Sequence, residues 1–310
     1  MTMPALTRRS ALFAAAALPF APALMPRAAH ATAEMMGAAM PAFNRFKLGG
    51  FEVTTLLGGS RPLDNPQETF GLNASPEDFA ALSQANFIPA DRSQNFFTPT
   101  VVNTGAELVL FDTGLAADGI VASLAAAGYT PDQVDVVVLT HMHGDHIGGV
   151  AGDAGVTFPN ARYVTGAVEH NHWLTAGNEG FDAKVAPLSE QMTMLDDGGE
   201  VLSGITAMAA FGHSPGHMAY MLESDGQRLA ITADAANHYV WSLQKPDWEV
   251  RFDMDRAAAA ATRRALFGML AADRVPFVGY HMPFPGVGYV EAMEDGFRYV
   301  PTSYQMMLNG

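Results

Sequence analysis

His141-Met142-His143-Gly144-Asp145-His146 follows directly on the apolar run Val134–Leu139. Four side chains that can ligate a metal fall within six positions, in a chain of 310 residues that has only 10 His. A buried strand ending in a tight polar turn would hold them on rigid backbone above a cleft. Neutral imidazole and carboxylate suit zinc-like divalent ions, and a pair of such ions activates water for hydrolysis. The stretch predicts a strand that delivers ligands to a two-metal hydrolytic site.

The same arrangement recurs further along the chain. The apolar run Ile205–Ala210 leads into Phe211-Gly212-His213-Ser214-Pro215-Gly216-His217, Leu229–Thr232 leads to Asp234, and Phe277–Tyr280 leads to His281. One ligand type beyond one strand is ordinarily structural. Four cases in one chain point to a common cause, and a shared metal cluster supplies it. Other strands are expected at Phe51–Leu57, Thr100–Asn103, Glu107–Phe111, Ala161–Thr165, Met218–Glu223 and Arg228–Thr232, with Thr104-Gly105-Ala106 as a hairpin turn. Helices are expected at Pro76–Gln84, Ala116–Ala127, Ala167–Thr175, Phe181–Gln191 and Asp255–Ala272, the last capped by Asp253 or Asp255. Residues 58–97, rich in Pro, Asn and Gly, read as a long irregular stretch around the first helix. Strands and helices intermix throughout, which predicts a single layered domain over residues 45–310, with residues 32–44 as a flexible lead-in.

His-x-His-x-Asp-His, Gly-His-Ser-Pro-Gly-His, an Asp after one apolar strand and a His after another resemble the metallo-β-lactamase superfamily. Within it, the flanking segments around Leu108–Gly114, Thr140–Gly149, Phe252–Asp255 and His281–Gly288 are similar to the methyl parathion hydrolase group, over nearly the whole chain after residue 31. The resemblance implies an α/β fold, a four-layer αββα sandwich, with two divalent ions at one edge, zinc first and Mn, Fe or Co as alternatives. It implies that His141, His143 and His213 hold the first ion, that Asp145, His146 and His281 hold the second, and that Asp234 bridges them. Asp112 is then the acid that fixes a ligand's tautomer, and His217 a structural hydrogen-bonding residue.

The reaction so implied is attack by a hydroxide shared between the ions on a small ester, a lactone or an organophosphate triester, with Asp145 and Asp234 as the catalytic carboxylates. Phe96, Phe97, Trp173, His238 and Trp241 lie in or beside the loops expected to border the cleft, and an aromatic wall suits an apolar ester or acyl chain. Related lactonases carry a tyrosine close after the bridging Asp. Here Ala235, Ala236, Asn237 and His238 come before Tyr239.

The ends and the composition narrow the biology. Arg8-Arg9, the Ala-rich apolar run Ala11–Met25 and Ala29-His30-Ala31 describe a twin-arginine-like export signal over residues 1–31, cleaved near Ala31, and so a periplasmic or exported protein. The apolar run is broken by Pro19 and Pro22 and is too short to span a membrane. With no Cys, the chain offers neither disulfides nor a thiol nucleophile, and any transition-metal site is built from His, Asp and Glu. Hydrophobic residues at 49% fit a protein with a sizeable core, in which the 18 Met are filler. A net charge of −15 repels phosphate backbones and argues against a nucleic-acid partner. The expected partner is a small-molecule substrate, with a homodimer as an option. Two other readings remain open at this point: a mononuclear iron thiol or persulfide dioxygenase of the same fold, and a non-catalytic periplasmic metal-binding protein.

Overall fold

The computed structural model describes residues 34–303; the expected export signal and its cleavage point near Ala31 lie outside them. Residues 34–40 carry no helix or strand and belong to a unit of their own. From Pro41 the elements run β1 (Phe43–Leu48), β2 (Phe51–Leu56), β3 (Gly59–Asp64), α1 (Pro76–Ala85), β4 (Arg92–Phe97), β5 (Thr100–Asn103), β6 (Leu108–Phe111), α2 (Ala117–Ala126), β7 (Val136–Leu139) and the one-turn α3 (Gly144–Ile147). A small hairpin follows, β8 (Ala151–Gly152) and β9 (Gly155–Val156), and then β10 (Arg162–Gly166), α4 (Ala167–Trp173), α5 (Glu179–Lys184) and β11 (Met192–Leu195). The second half holds β12 (Glu200–Leu202), β13 (Ile205–Ala209), β14 (Met218–Ser224), β15 (Gln227–Ala233), α6 (Arg256–Asp273), β16 (Phe277–Gly279), β17 (Val287–Met293) and β18 (Gly296–Pro301).

Two seven-stranded sheets result, ordered β1-β2-β5-β6-β7-β10-β11 and β12-β13-β14-β15-β16-β17-β18. The central strand β7 shows how they pack. Its residues are all buried between parallel neighbours β6 and β10, as an unbroken apolar run requires. Alternate side chains face opposite ways. Val136 and Val138 join Phe111, Ile205, Tyr220, Leu229 and Ile231 in the core between the sheets. Val137 and Leu139 join Ile120 and Leu124 of α2 and Phe181 of α5 on the outer face. On the second sheet, Ala219, Ala230 and Phe277 pack against Leu266, Phe267 and Leu270 of α6. Helix, sheet, sheet, helix is the four-layer αββα sandwich.

Several segments differ from expectation. β1 begins at Phe43, inside the span expected as a lead-in, because Phe43 and Asn44 pair with Leu56 and Thr55. The stretch from residue 58 to 97 is not irregular: β3 and β4 form a hairpin around α1. Its strands, Gly-Ser-Arg-Pro-Leu-Asp and Arg-Ser-Gln-Asn-Phe-Phe, are largely polar and half-exposed, so they carry no apolar alternation to read. The helix expected over Phe181–Gln191 stops at Lys184 and continues as a 3-10 turn from Ala186, where Pro187 brings no backbone N–H. Asp255, not Asp253, caps α6, accepting from Ala258 N at 3.0 Å. Among the described residues, no helix is long and apolar enough to cross a membrane.

Candidate metal centre

Strand ends deliver the site. His141 follows β7, His143 caps α3, and Asp145 and His146 lie in its single turn. His213 sits in the turn after β13, Asp234 directly after β15, and His281 two residues past β16. All seven converge in three overlapping groups, His141/His143/His213, His141/His146/Asp234 and Asp145/His146/His281. Within each group the potential ligand atoms lie within 4.8 Å of one another.

Four histidines present Nε2 to the centre because something else occupies Nδ1. His146 Nδ1 meets Asp112 Oδ2 at 2.8 Å, and His213 Nδ1 meets Asp253 Oδ1 at 2.9 Å. His281 Nδ1 donates to the Phe96 carbonyl at 2.7 Å, and His141 Nδ1 lies 3.1 Å from Thr140 Oγ1, whose hydroxyl donates to Asp112. An acceptor on the far nitrogen fixes tautomer and ring orientation. His143 turns its Nδ1 inward, 3.1 Å from His141 Nε2 and 2.9 Å from His213 Nε2. Asp234 lies between the halves: Oδ2 is 3.3 Å from His213 Nε2 and 3.1 Å from His281 Nε2, and Oδ1 is 3.3 Å from His146 Nε2.

This arrangement fits divalent cations. His146 Nε2 and Asp234 Oδ1 are buried without hydrogen-bond partners, a costly state that a cation between them relieves. Burial holds His141 well below its ordinary pKa and His143 at about 3, so both offer neutral lone pairs. Burial also opposes a proton on His281 and His146, but neighbouring carboxylates outweigh it. Asp234 and Asp145 raise His281 to about 10, and Asp234 with Asp112 raises His146 well above the ordinary value. In the metal-free chain two protons thus supply positive charge that the carboxylates demand. Burial alone would raise Asp145, yet His146 and His281 keep it at about 2.

Backbone strain gathers here too. Asp112 and Ala233 adopt left-handed φ values of 59° and 41°, unfavourable for residues with a Cβ. Each strained residue aims an acid: Asp112 its own carboxylate, and Ala233 the following Asp234.

A cleft of about 540 Å³ opens over the centre, lined by His143, Asp145, His213, Asp234 and His281 at its floor. Its walls are Arg61, Pro62 and Leu63 of β3, Asn95 and Phe97 of β4, and Phe70, Leu115, Asn237 and Phe252. Of the five aromatic side chains expected at the cleft, Phe97 lines it. Phe96 does not: Asn95 and Phe97 share one face of the hairpin, and alternation turns Phe96 to the other, leaving its carbonyl on His281. Trp173 stands behind His143, ring centroids 5.9 Å apart, and donates to Glu169. His238 and Trp241 stack on each other at 3.9 Å in a buried cluster with Phe70, and Trp241 Nε1 donates to Ser83 Oγ. Burying apolar ring area and satisfying the indole N–H draws these two rings into a satellite core instead of the cleft. His238 Nδ1 accepts from Val240 N and Trp241 N, and burial lowers its pKa to about 3.

His217 accepts from Asp234 N through Nε2 at 3.1 Å and donates from Nδ1 to the Ala210 carbonyl. Several residues were not anticipated for the site, among them Asp253 on His213, and Asn237, Tyr280 and Arg263. Asn237, three positions past Asp234, donates to Asp234 Oδ2 at 3.0 Å and lines the cleft, whereas Tyr239 does not. Tyr280 stacks on His146 at 3.9 Å, and its hydroxyl donates to the Asp145 carbonyl. Arg263, fully buried on α6, holds Asp253 at 2.9 Å and the Ala235 carbonyl at 3.0 Å. It shares the buried face of α6 with Ala259, Leu266, Phe267 and Leu270, and in the sequence nothing sets it apart from its neighbour Arg264.

Paired sheets between helices, with seven His and Asp side chains gathered at their strand ends, define a metal-binding αββα protein. Residues 98–277 match the family described as the metallo-beta-lactamase superfamily, and the chain belongs to it. The curated N-acyl homoserine lactonase AttM of Agrobacterium fabrum is 29% identical over 129 residues, 38% of this chain and 47% of that protein. An AttM of Azorhizobium caulinodans is 30% identical over 131 residues, 38% of this chain and 48% of its own length. The chain thus spans about half the length of the curated relatives it matches. Among solved structures, AidC, a dizinc quorum-quenching lactonase in complex with a product, superposes with a TM-score of 0.77 at 25% identity, covering 84% of this chain and 98% of AidC. The hydrolase AbOPH shares the fold, with a TM-score of 0.78 at 23% identity over 86% of this chain and 99% of AbOPH.

Proposed function

We propose that the chain is a dinuclear metal-dependent hydrolase of small, neutral lactones or esters that carry an apolar chain. The observation that carries this reading is the convergence of two ligand groups, joined by Asp234, at the floor of a mainly apolar cleft. His141, His143 and His213 would hold one ion, and Asp145, His146 and His281 the other. When bound, the ions supply Lewis acidity and a water of lowered pKa. The chain's own part is orientation and proton handling. Asp234 spans both halves and is steadied by Asn237 and by the His217 contact to its backbone. Asp145, the carboxylate open to the cleft, with its side chain 24% exposed, accepts the proton of the attacking water and returns it to the leaving oxygen. Phe70, Phe97, Leu63 and Phe252 exclude bulk water and take up the acyl or alkyl chain. The lactonase names of AttM and AidC favour a lactone first and an organophosphate triester last. Export through the Arg8-Arg9 signal belongs to the same reading.

Metal analysis of the purified protein, combined with specificity constants on N-acyl homoserine lactones, p-nitrophenyl esters and phosphotriesters, tests it. Two ions per chain with lactone or ester turnover is the expected result. One iron with oxygen uptake would replace the reading with a dioxygenase, and bound metal without turnover across the panel would replace it with a metal carrier.

A further inference from the structure

Glu169 is fully buried in the first turn of α4, and among the described residues it has no ion-pair partner. Its carboxylate is nonetheless saturated. Oε1 accepts from Met142 N at 3.0 Å and from Trp173 Nε1 at 2.6 Å. Oε2 accepts from Ser214 Oγ at 2.7 Å and from Gly216 N at 2.8 Å. Met142 lies between the ligands His141 and His143, and Ser214 directly follows the ligand His213. One carboxylate therefore ties together two loops more than 70 residues apart in sequence, each of which delivers ligands to the same half of the centre. Trp173, the fourth donor, sets its ring edge-on to His143. The fit is close: a Cβ on Gly216 would lie 2.0 Å from Glu169 N, so only glycine lets the second loop come near enough.

A buried carboxylate without a counter-ion is expensive unless hydrogen bonds compensate for lost water. An apolar side chain would fill the same space at lower cost, so four donors drawn from two ligand loops and from the residue behind a ligand need a reason. We propose that Glu169 is a positioning residue that sets the spacing of His141, His143 and His213, and so the metal affinity of that half of the centre. The proposal rests on the reading of these three histidines as metal ligands. Glu169 touches neither ion nor substrate; it acts through the backbone at Met142 and Gly216 and through Ser214 and Trp173.

The test is Glu169→Gln in the full chain, titrated with Co2+ against a chelator of known affinity and followed by the visible absorption of the bound ion. The amide keeps the shape but turns an N–H toward donors, of which Gly216 N and Met142 N cannot reverse. The expected result is an affinity for one of the two ions about 10- to 100-fold lower than wild type, with an altered absorption band and the other ion's affinity less affected. Ser214→Ala, which removes one donor and leaves three, should lower the same affinity by less and carries the test if Glu169→Gln does not fold. Unchanged affinities and an unchanged Co2+ spectrum in a folded variant, with only a lower melting temperature of the metal-free protein, would make Glu169 a core hydrogen-bonding residue and overturn the proposal. Failure of the wild-type chain to bind Co2+ would overturn the metal centre itself, and this inference with it.

Discussion

The floor of the cleft and its wall are built on opposite principles. On the floor, every candidate ligand histidine but His143 has its second nitrogen engaged by an acceptor, and the carboxylate acceptors are themselves held: Asp112 by Thr140 N and Oγ1, Asp253 by Arg263. The wall comes from the polar hairpin β3–β4 and from single side chains such as Phe252, which is 42% exposed. Chemistry at an ion needs geometry fixed within tenths of an ångström, so the floor stores strain at Asp112 and Ala233 and buries charge to fix it. Binding an apolar chain needs only area, and the wall can change residues without disturbing what lies beneath. The two regions meet where the Phe96 carbonyl orients His281, where the Phe97 ring stands edge-on to His281, and where Asn237 donates to Asp234.

That contrast can be broken by substitution, with the largest effects expected on the floor. Asp234→Ala should drop metal content, measured by elemental analysis, and hydrolysis together to background; full activity in this variant would mean the ligands are misassigned. Asp112→Ala should weaken metal binding about 10- to 100-fold in a competition titration, because His146 loses its orienting acceptor. Titrating the same affinity against pH should give a rise of up to about tenfold per unit for each proton displaced, since ions replace the protons on His281 and His146. The sign for stability is the reverse. His281 is raised from 6.5 to about 10, so its contribution to the metal-free protein is complete below pH 6.5 and is lost as pH rises toward 10. Denaturant melts of apo and metal-loaded protein across that window should diverge.

Smaller effects separate support from wall. His217→Ala should cost about 1–3 kcal/mol of stability by leaving Asp234 N and the Ala210 carbonyl unpaired, with residual hydrolysis at saturating metal. Phe252→Ala should raise KM for long-chain substrates by about 1 kcal/mol with kcat nearly unchanged. Trp241→Phe should leave KM alone and lower only the melting temperature. A KM effect there would return Trp241 to the cleft and erase the distinction drawn between satellite core and wall.

The cluster of candidate ligands was legible because its members stand just past apolar runs, and burial of such runs between layers is the strongest signal a sequence carries. The layered fold followed from the same runs. β3, β4, β17 and β18 were not legible: partly exposed strands pair through backbone hydrogen bonds, and their side chains leave no apolar period. Trp173, His238 and Trp241 were misplaced for a related reason. An aromatic residue in a loop near a site packs into a core or lines a cleft according to neighbours that are distant in sequence, such as Ser83 for Trp241 and His143 for Trp173. Glu169 and Arg263 look in sequence like ordinary charged residues on helices.

By itself the sequence determined which side chains are the candidate ligands, that the strands bearing them are buried, and that no thiol takes part. Those facts are local, written in residue type and short spacing. Only the tertiary structure decided which acids orient which histidines, which aromatic rings meet the cleft, and that a polar hairpin forms its wall. Hydrogen bonds and ring contacts reach a few ångströms through space, and partners such as Asp112 and His146 or Phe96 and His281 lie 34 to 185 residues apart along the chain.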